Sequence, residues 1–336
     1  MKARLWQMGW DTSKVTLATT GSDGVSPRKG PKDDTSKVGL LKSLPGADTR
    51  LVLFQADIYN PNEFEAAIEG CQFVFHVATP LPHSLHDQSS QYEDMVEAVV
   101  AAVRSIADSC IRSQTVKRLI YTASVTASSP LKEDGTGFKS CMDESCWTPL
   151  NLTFTYGNDV VMGYTKSKTL AEKEVLSYNE IENGKLEVVT LPCGQVGGDT
   201  LLSYLPLSVQ VLLSQLSGNL SCYNGLRFMQ ELLGFVPMVH IDDVCEAHIF
   251  CMEKASMKGR FLCAAANPTT REIADYYQEN YPELKLPEEF MGGPERGSRC
   301  DSAKLMNMGF EYKYNMKKIV DDNVECGRRL GALYLK

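Results

Sequence analysis

Val161-Met-Gly-Tyr-Thr-Lys-Ser-Lys-Thr-Leu-Ala-Glu-Lys173 lies between two apolar runs, Arg118-Leu-Ile-Tyr-Thr-Ala-Ser124 before it and Leu186-Glu-Val-Val-Thr-Leu-Pro192 after it. The two runs read as buried strands, and the segment between them opens a helix from Tyr164 to about Tyr178. Strand, helix, strand is the order that a parallel α/β sheet produces. On that helix Tyr164 and Lys168 stand four residues apart and share a face. An ammonium beside a phenol favours the phenolate, so Lys168 is expected to lower the Tyr164 pKa from its ordinary value of about 10. The tyrosine then becomes a proton donor usable near neutral pH. Ser124, closing the upstream strand, is placed to hydrogen-bond the same carbonyl oxygen that Tyr164 protonates. A bare Tyr-x-x-x-Lys pair also suits a solvated helix face; the strand-helix-strand setting is what makes it a candidate site.

The chain has 336 residues, 43% of them hydrophobic, enough for one large α/β domain or two coupled lobes. A net charge of −8 with 23% charged residues describes a soluble acidic protein. There is no long basic run or basic-aromatic stripe, which argues against a nucleic-acid partner. No apolar run is long enough to span a bilayer, and the N-terminus has no apolar signal core. Eleven cysteines without a secretion signal read as reduced thiols of a cytoplasmic protein. Cys141 and Cys146 have no standard metal or redox spacing. His83, His86 and Asp87 can be drawn as a metal cluster, but a polar loop after Pro80 and Pro82 is the plainer reading, and no metal is expected.

Further strands are expected at Leu51 to Gln55 and Gln72 to Ala78, with a short helix at Glu63 to Glu69. A long helix runs from Tyr92 to Arg112 with Met95, Val99, Val103 and Ile106 along one face. Ser128 to Asn158 reads as a loop. Helical stretches follow at Leu201 to Leu216 and Arg227 to Leu233, and these should form a smaller lobe. Val239 to Met252 and Arg260 to Ala265 return to the main sheet, and helices close the chain at Arg271 to Tyr281 and Met316 to Leu330. The organisation expected is a dinucleotide-binding lobe over 1–192 and a substrate lobe over 193–336, with 239–265 rejoining the sheet.

Several runs carry a family resemblance: Leu53-Phe-Gln-Ala-Asp57, Gly70-Cys-Gln-Phe-Val-Phe-His-Val-Ala-Thr-Pro80, Thr115-Val-Lys-Arg-Leu-Ile-Tyr-Thr-Ala-Ser124 and Asp143-Glu-Ser-Cys-Trp-Thr-Pro149. Val188-Val-Thr-Leu-Pro192, Val239-His-Ile-Asp-Asp-Val244, Gly259-Arg-Phe-Leu-Cys263 and Asp301-Ser-Ala-Lys-Leu-Met-Asn-Met-Gly-Phe310 continue it. From about Thr35 onward the chain resembles the extended short-chain dehydrogenase/reductases of the plant dihydroflavonol reductase-like group, in particular the NADPH-dependent HC-toxin reductases of grasses and anthocyanidin reductase-like proteins. The resemblance implies a Rossmann-type parallel sheet with a smaller C-terminal substrate lobe. It implies an NADPH-dependent reductase of a carbonyl in a plant secondary metabolite or toxin, acting in the cytoplasm as a monomer. It makes Ser124, Tyr164 and Lys168 the catalytic set. Asp57 matches an aspartate that contacts the adenine. Val77, Ala78 and Thr79 match the strand end beneath the adenosine and nicotinamide ribose, and Pro192 packs by the nicotinamide. Asp57 also suits a helix cap, Pro192 a simple strand end, and Val77 to Thr79 plain core.

Two features depart from the family pattern. A dinucleotide fold needs a glycine-rich turn and a helix N-terminus for the pyrophosphate. The nearest candidate, Thr20-Gly-Ser-Asp-Gly-Val-Ser-Pro-Arg-Lys-Gly30, misplaces its third glycine: Gly21, Gly24 and Gly30 fit no fingerprint spacing. A βαβ unit takes ~30 residues or more, and only Val15-Thr-Leu-Ala-Thr-Thr20 before Thr35 looks like a strand. As a first strand it lacks its helix; as a second strand it has too few residues ahead of it. The first βα unit is therefore expected to be incomplete, as in an alternative or shortened gene product, and a catalytically silent homologue is the alternative function. Arg28-Lys-Gly-Pro-Lys32 offers cations for a 2′-phosphate or is an exposed basic loop. Secondly, where dihydroflavonol reductases carry an asparagine for the flavonoid ring hydroxyls, five residues beyond Ser124, this chain has Ser129. That argues against dihydroflavonol and leaves toxin-like and anthocyanidin-like substrates open.

Overall fold

The computed structural model describes residues 15–19, 39, 41–56, 61–77, 95–181 and 186–333. Its strands are β1 (Val15–Thr19), β2 (Leu51–Gln55), β3 (Phe73–His76), β4 (Arg118–Ser124), β5 (Cys141–Met142), β6 (Glu187–Cys193), β7 (Gln195–Gly197), β8 (Met238–His240), β9 (Gly259–Arg260) and β10 (Arg299–Cys300). The longer helices are α1 (Met95–Ser113), α2 (Asp159–Ser177), α3 (Leu220–Leu233), α4 (Ile241–Glu253), α5 (Thr270–Asn280) and α6 (Met316–Arg329).

The main sheet has the order β3-β4-β6-β9, and every pairing in it is parallel. Parallel neighbours need crossovers, and the long helices α1 and α2 supply them between β3, β4 and β6. Parallel strands are covered on both faces and read as continuous apolar runs. In β4 the alternation of side chains therefore divides two cores. Leu119, Tyr121 and Ala123 pack with Val99, Val103 and Ile106 of α1 and Ala171 and Val175 of α2. Ile120 points the other way, to Val189 and Leu191 of β6 and Val244, Ala247 and Cys251 of α4. Each such aliphatic side chain contributes about 1.5–3 kcal/mol by burial. A third core, with Leu226 of α3, Ile273 and Tyr277 of α5, and Ile319 and Val324 of α6, lies in the C-terminal region.

β1 pairs in parallel with β2, Val15 opposite Leu51. In a doubly wound sheet of order 3-2-1-4 the neighbour of the third strand is the second. The β1–β2 pair fits either the first and second or the second and third of those places, and among the described residues no strand bridges β1 to β3.

Two helices begin earlier than their apolar periodicity indicates. α2 starts at Asp159 because the Asn158 side chain accepts from the Val161 N–H at 3.0 Å. Tyr164 therefore sits in the second turn, not at the opening. α3 starts at Leu220, capped by Asn219, seven residues ahead of the expected Arg227; Gly225 interrupts the helical pattern there without breaking the helix. The segment read as a loop, 128–158, holds the short strand β5, which pairs with β10.

Candidate active site

β4 and β6 end together, with Ala123 opposite Pro192 and Ser124 opposite Cys193. Open parallel sheets bind ligands outside the carboxyl ends of their strands, and that is where Ser124 stands. Its hydroxyl begins a short 3₁₀ turn, accepting from the Thr126 N–H at 3.3 Å and from the Thr126 hydroxyl at 3.0 Å. A hydroxyl has two acceptor lone pairs and one donor. Both lone pairs are engaged by Thr126, so the proton of Ser124 is left to donate to the Tyr164 phenol oxygen, with which it is hydrogen-bonded.

α2 lays Tyr164 and Lys168 along the end of β4. Lys168 is buried, and its ammonium donates to the Thr122 carbonyl at 2.8 Å and stands 4.8 Å above the Tyr121 ring. Burial pushes its pKa down to about 8, opposed by the negative charge of Glu172. Behind it, the Thr122 hydroxyl meets His248 Nε2 at 2.7 Å, while His248 Nδ1 lies 2.7 Å from the Val244 carbonyl. That carbonyl requires a donor, so Nδ1 carries the proton and Nε2 accepts from Thr122. Burial lowers the His248 pKa and keeps it neutral.

The electrostatics of Tyr164 differ from the sequence expectation. Burial raises its pKa, and the group that lowers it is the Ser124 hydroxyl, not Lys168. The physical reason is placement: the Lys168 charge is directed at the Thr122 carbonyl and the Tyr121 ring, and the phenol is shielded from water. In this arrangement the phenol is in its protonated form at neutral pH, and the Ser124 hydrogen bond is what eases loss of that proton.

Cys193 was not singled out by sequence. It stands opposite Ser124 at the shared end of β4 and β6, close to Tyr164 and Lys168. Its position directly after Pro192 on the same strand end was the available signal. Pro192 is buried beside Ala123, and its carbonyl accepts from the Cys263 N–H at 2.9 Å. Val77 follows the last residue of β3 and is 46% exposed, although the adjoining His76 is buried. Val77 thus stands just past the carboxyl end of β3, the strand beside β4. Asp57, Ala78, Thr79, Gly21, Gly24, Gly30 and Arg28 to Lys32 lie outside the described residues, as do His83, His86 and Asp87. Among the described residues no group of three or more His, Cys, Asp or Glu forms a cation site.

Ser129 is engaged by the backbone around it. It is fully buried; its hydroxyl donates to the Leu232 carbonyl at 2.5 Å and accepts from the Leu131 N–H at 3.0 Å. Exposed apolar residues gather instead at Leu201, Leu202, Tyr204 and Leu207.

Residues 28–217 match the model of the 3-beta hydroxysteroid dehydrogenase/isomerase family. Anthocyanidin reductase ((2S)-flavan-3-ol-forming) of Vitis vinifera is 37% identical over 302 residues, covering 90% of this chain and 87% of that protein. The crystal structure of vestitone reductase from alfalfa, Medicago sativa, aligns with a TM-score of 0.71 at 31% identity, covering 95% of this chain and 92% of that one. A yeast methylglyoxal/isovaleraldehyde reductase solved with NADPH shares the fold, with a TM-score of 0.67 at 22% identity over 88% of this chain and 90% of that one. This chain is an oxidoreductase of the 3-beta hydroxysteroid dehydrogenase/isomerase family, in the dihydroflavonol reductase-like group of the extended short-chain dehydrogenase/reductases.

Proposed function

We propose that this chain reduces the carbonyl group of a plant secondary metabolite or a toxin-like ketone with NADPH. The observation that carries the reading is the hydrogen-bonded pair of Ser124 and Tyr164 at the carboxyl end of β4, with the Lys168 ammonium fixed behind it. The bound cofactor supplies the hydride that the carbonyl carbon receives. On substrate binding the Ser124 proton turns from the Tyr164 oxygen to the carbonyl oxygen and orients it. Tyr164, kept protonated by burial, gives its proton to that oxygen, so hydride and proton together convert C=O to CH–OH. Loss of the proton leaves a phenolate, whose negative charge the Lys168 ammonium, one helical turn away, offsets; the same cation would bind the cofactor ribose. Val77 and Pro192 flank the nicotinamide, and Asp57, Ala78 and Thr79 take the adenosine side. We place the cofactor lobe in 1–192 and the substrate lobe mainly in 193–336, with 239–265 returning to the main sheet, and propose a cytoplasmic monomer.

The apolar group at Leu201, Leu202, Tyr204 and Leu207 suits a hydrophobic or aromatic ketone. The commitment of Ser129 to the Leu232 carbonyl supports a substrate other than dihydroflavonol, with toxin-like ketones and anthocyanidins as the classes to assay.

One observation favours a second reading, a catalytically silent homologue: the spacing of Gly21, Gly24 and Gly30 matches no phosphate-binding fingerprint. Isothermal titration with NADPH, followed by NADPH oxidation against a ketone panel, separates the two. Micromolar binding with turnover supports the reductase; no binding at millimolar NADPH overturns it.

A further inference from the structure

α2 carries a third functional residue on the face of Tyr164 and Lys168. Glu172 stands one turn beyond Lys168 and is fully buried. Its carboxylate accepts from the Thr190 hydroxyl at 2.7 Å and from Arg260 Nε and Nη2 at 3.0 Å each. Arg260, 5% exposed on β9, spends its remaining N–H groups on the turn behind Ser124 and the segment after it. The Nη2 hydrogen not directed at Glu172 is shared between the Ala127 carbonyl at 3.0 Å and the Ser128 hydroxyl at 2.7 Å. Nη1 donates to the Glu144 carbonyl at 3.2 Å and to the Cys146 carbonyl. The guanidinium lies 3.7 Å from the centre of the Trp147 ring. One side chain therefore ties together the helix of Tyr164 and Lys168, the turn that follows Ser124, and the strand at the sheet edge. A surface ion pair does no such thing; a forked, dry pair fixes geometry as well as charge.

The groups facing Lys168 include the Tyr121 ring and Thr122 carbonyl from β4, Glu172 from α2 and Cys193 from β6, with neutral His248 of α4 bonded to Thr122 behind them. Glu172 is the anion of that set. We propose that Arg260 and Glu172 are positioning residues of the reductase site: they lock the catalytic face of α2 against the turn after Ser124 and place a buried anion one helical turn from the Lys168 ammonium. The inference rests on the reductase reading for the roles of Tyr164 and Lys168. The direction of the Glu172 effect on Lys168, upward against burial, agrees with it.

The test reads the lysine directly. Full-length protein labelled with ¹³C at lysine Cε is titrated by NMR, with the Lys168 signal assigned by its loss in Lys168→Arg. Wild type is expected to titrate near the pH of about 8 set by burial. Glu172→Gln keeps the volume and the acceptor for Thr190, and is expected to lower the midpoint by about one unit, a tenfold change in the protonation equilibrium. Should the lone Arg260 cation prevent folding, Glu172→Gln combined with Arg260→Met removes both charges, leaves no unpaired ion, and is expected to lower the midpoint likewise. An unchanged midpoint in the folded variant overturns the charge role. Arg260→Lys keeps the charge and loses the fork; it is expected to hold the midpoint while kcat falls about tenfold at unchanged KM. Unchanged kcat overturns the positioning role. The NMR arm needs neither cofactor nor turnover, so its failure and a failure of the reductase reading are told apart.

Discussion

The Lys168 ammonium donates to the backbone carbonyl of Thr122 at 2.8 Å, two residues before Ser124 on the same strand. A single strand end therefore sets both the serine, through its own backbone, and the lysine, through a carbonyl that no substitution can remove. The tyrosine between them in space is carried by α2, whose start is fixed by the Asn158 cap.

Tyr164→Phe is expected to remove ketone reduction, about 10²–10⁴-fold in single-turnover rate, while leaving the fold intact. The ring remains, and only the Ser124 proton loses its acceptor. Retention of more than a tenth of the wild-type rate in stopped-flow NADPH oxidation sinks the acid role.

Lys168→Met isolates a pH-dependent contribution. The Lys168 pKa is about 8 when folded against an ordinary 10.5. Because the folded value is the lower one, the unfolded chain binds more protons between these limits, and stability rises with pH across that window. Below about pH 8 the buried charge costs stability in full; above 10.5 the cost is gone. Wild type should therefore gain on Lys168→Met as pH rises from 8 to 10.5. Urea denaturation of both proteins at several pH values checks this, and parallel curves contradict it.

Arg118→Met should destabilise the sheet by about 2–4 kcal/mol. Arg118 is 2% exposed; its guanidinium donates to the Lys254 carbonyl at 2.9 Å, the Met252 carbonyl at 3.3 Å and the Cys251 carbonyl, and to Glu187 at 2.8 Å. Removing it orphans the last carbonyls of α4. A change under 1 kcal/mol in chemical denaturation would show that water replaces the guanidinium.

Ser129→Asn is expected to destabilise by about 1–3 kcal/mol through overpacking and to confer no activity on dihydroflavonol, because the side chain at position 129 is engaged by the Leu232 carbonyl. Melting temperature and a dihydroflavonol assay read both parts. Gain of that activity in a stable variant refutes the placement.

Much of the site was legible in order and spacing. The helix period put Tyr164 and Lys168 on one face, and the apolar run ending at Ser124 reads as a strand because its residues are buried on both sides, as Leu119 and Ile120 are. Cap positions were harder to read. Asn158 and Asn219 start α2 and α3 through one hydrogen bond each, and apolar periodicity carries no trace of such a bond.

The sequence by itself determined the strand-helix-strand unit, its parallel sense and the residue types that gather at its end, since these follow from local period and from the need to bury apolar faces. Only the tertiary structure decided what those residues feel. That the Tyr164 pKa rises, that Lys168 faces Thr122 and Glu172, and that Arg260, 88 residues beyond Glu172, clamps the turn behind Ser124 all depend on register and desolvation. Electrostatic interaction in a dry interior changes steeply with distance and burial, and neither quantity is written in the order of residues along the chain.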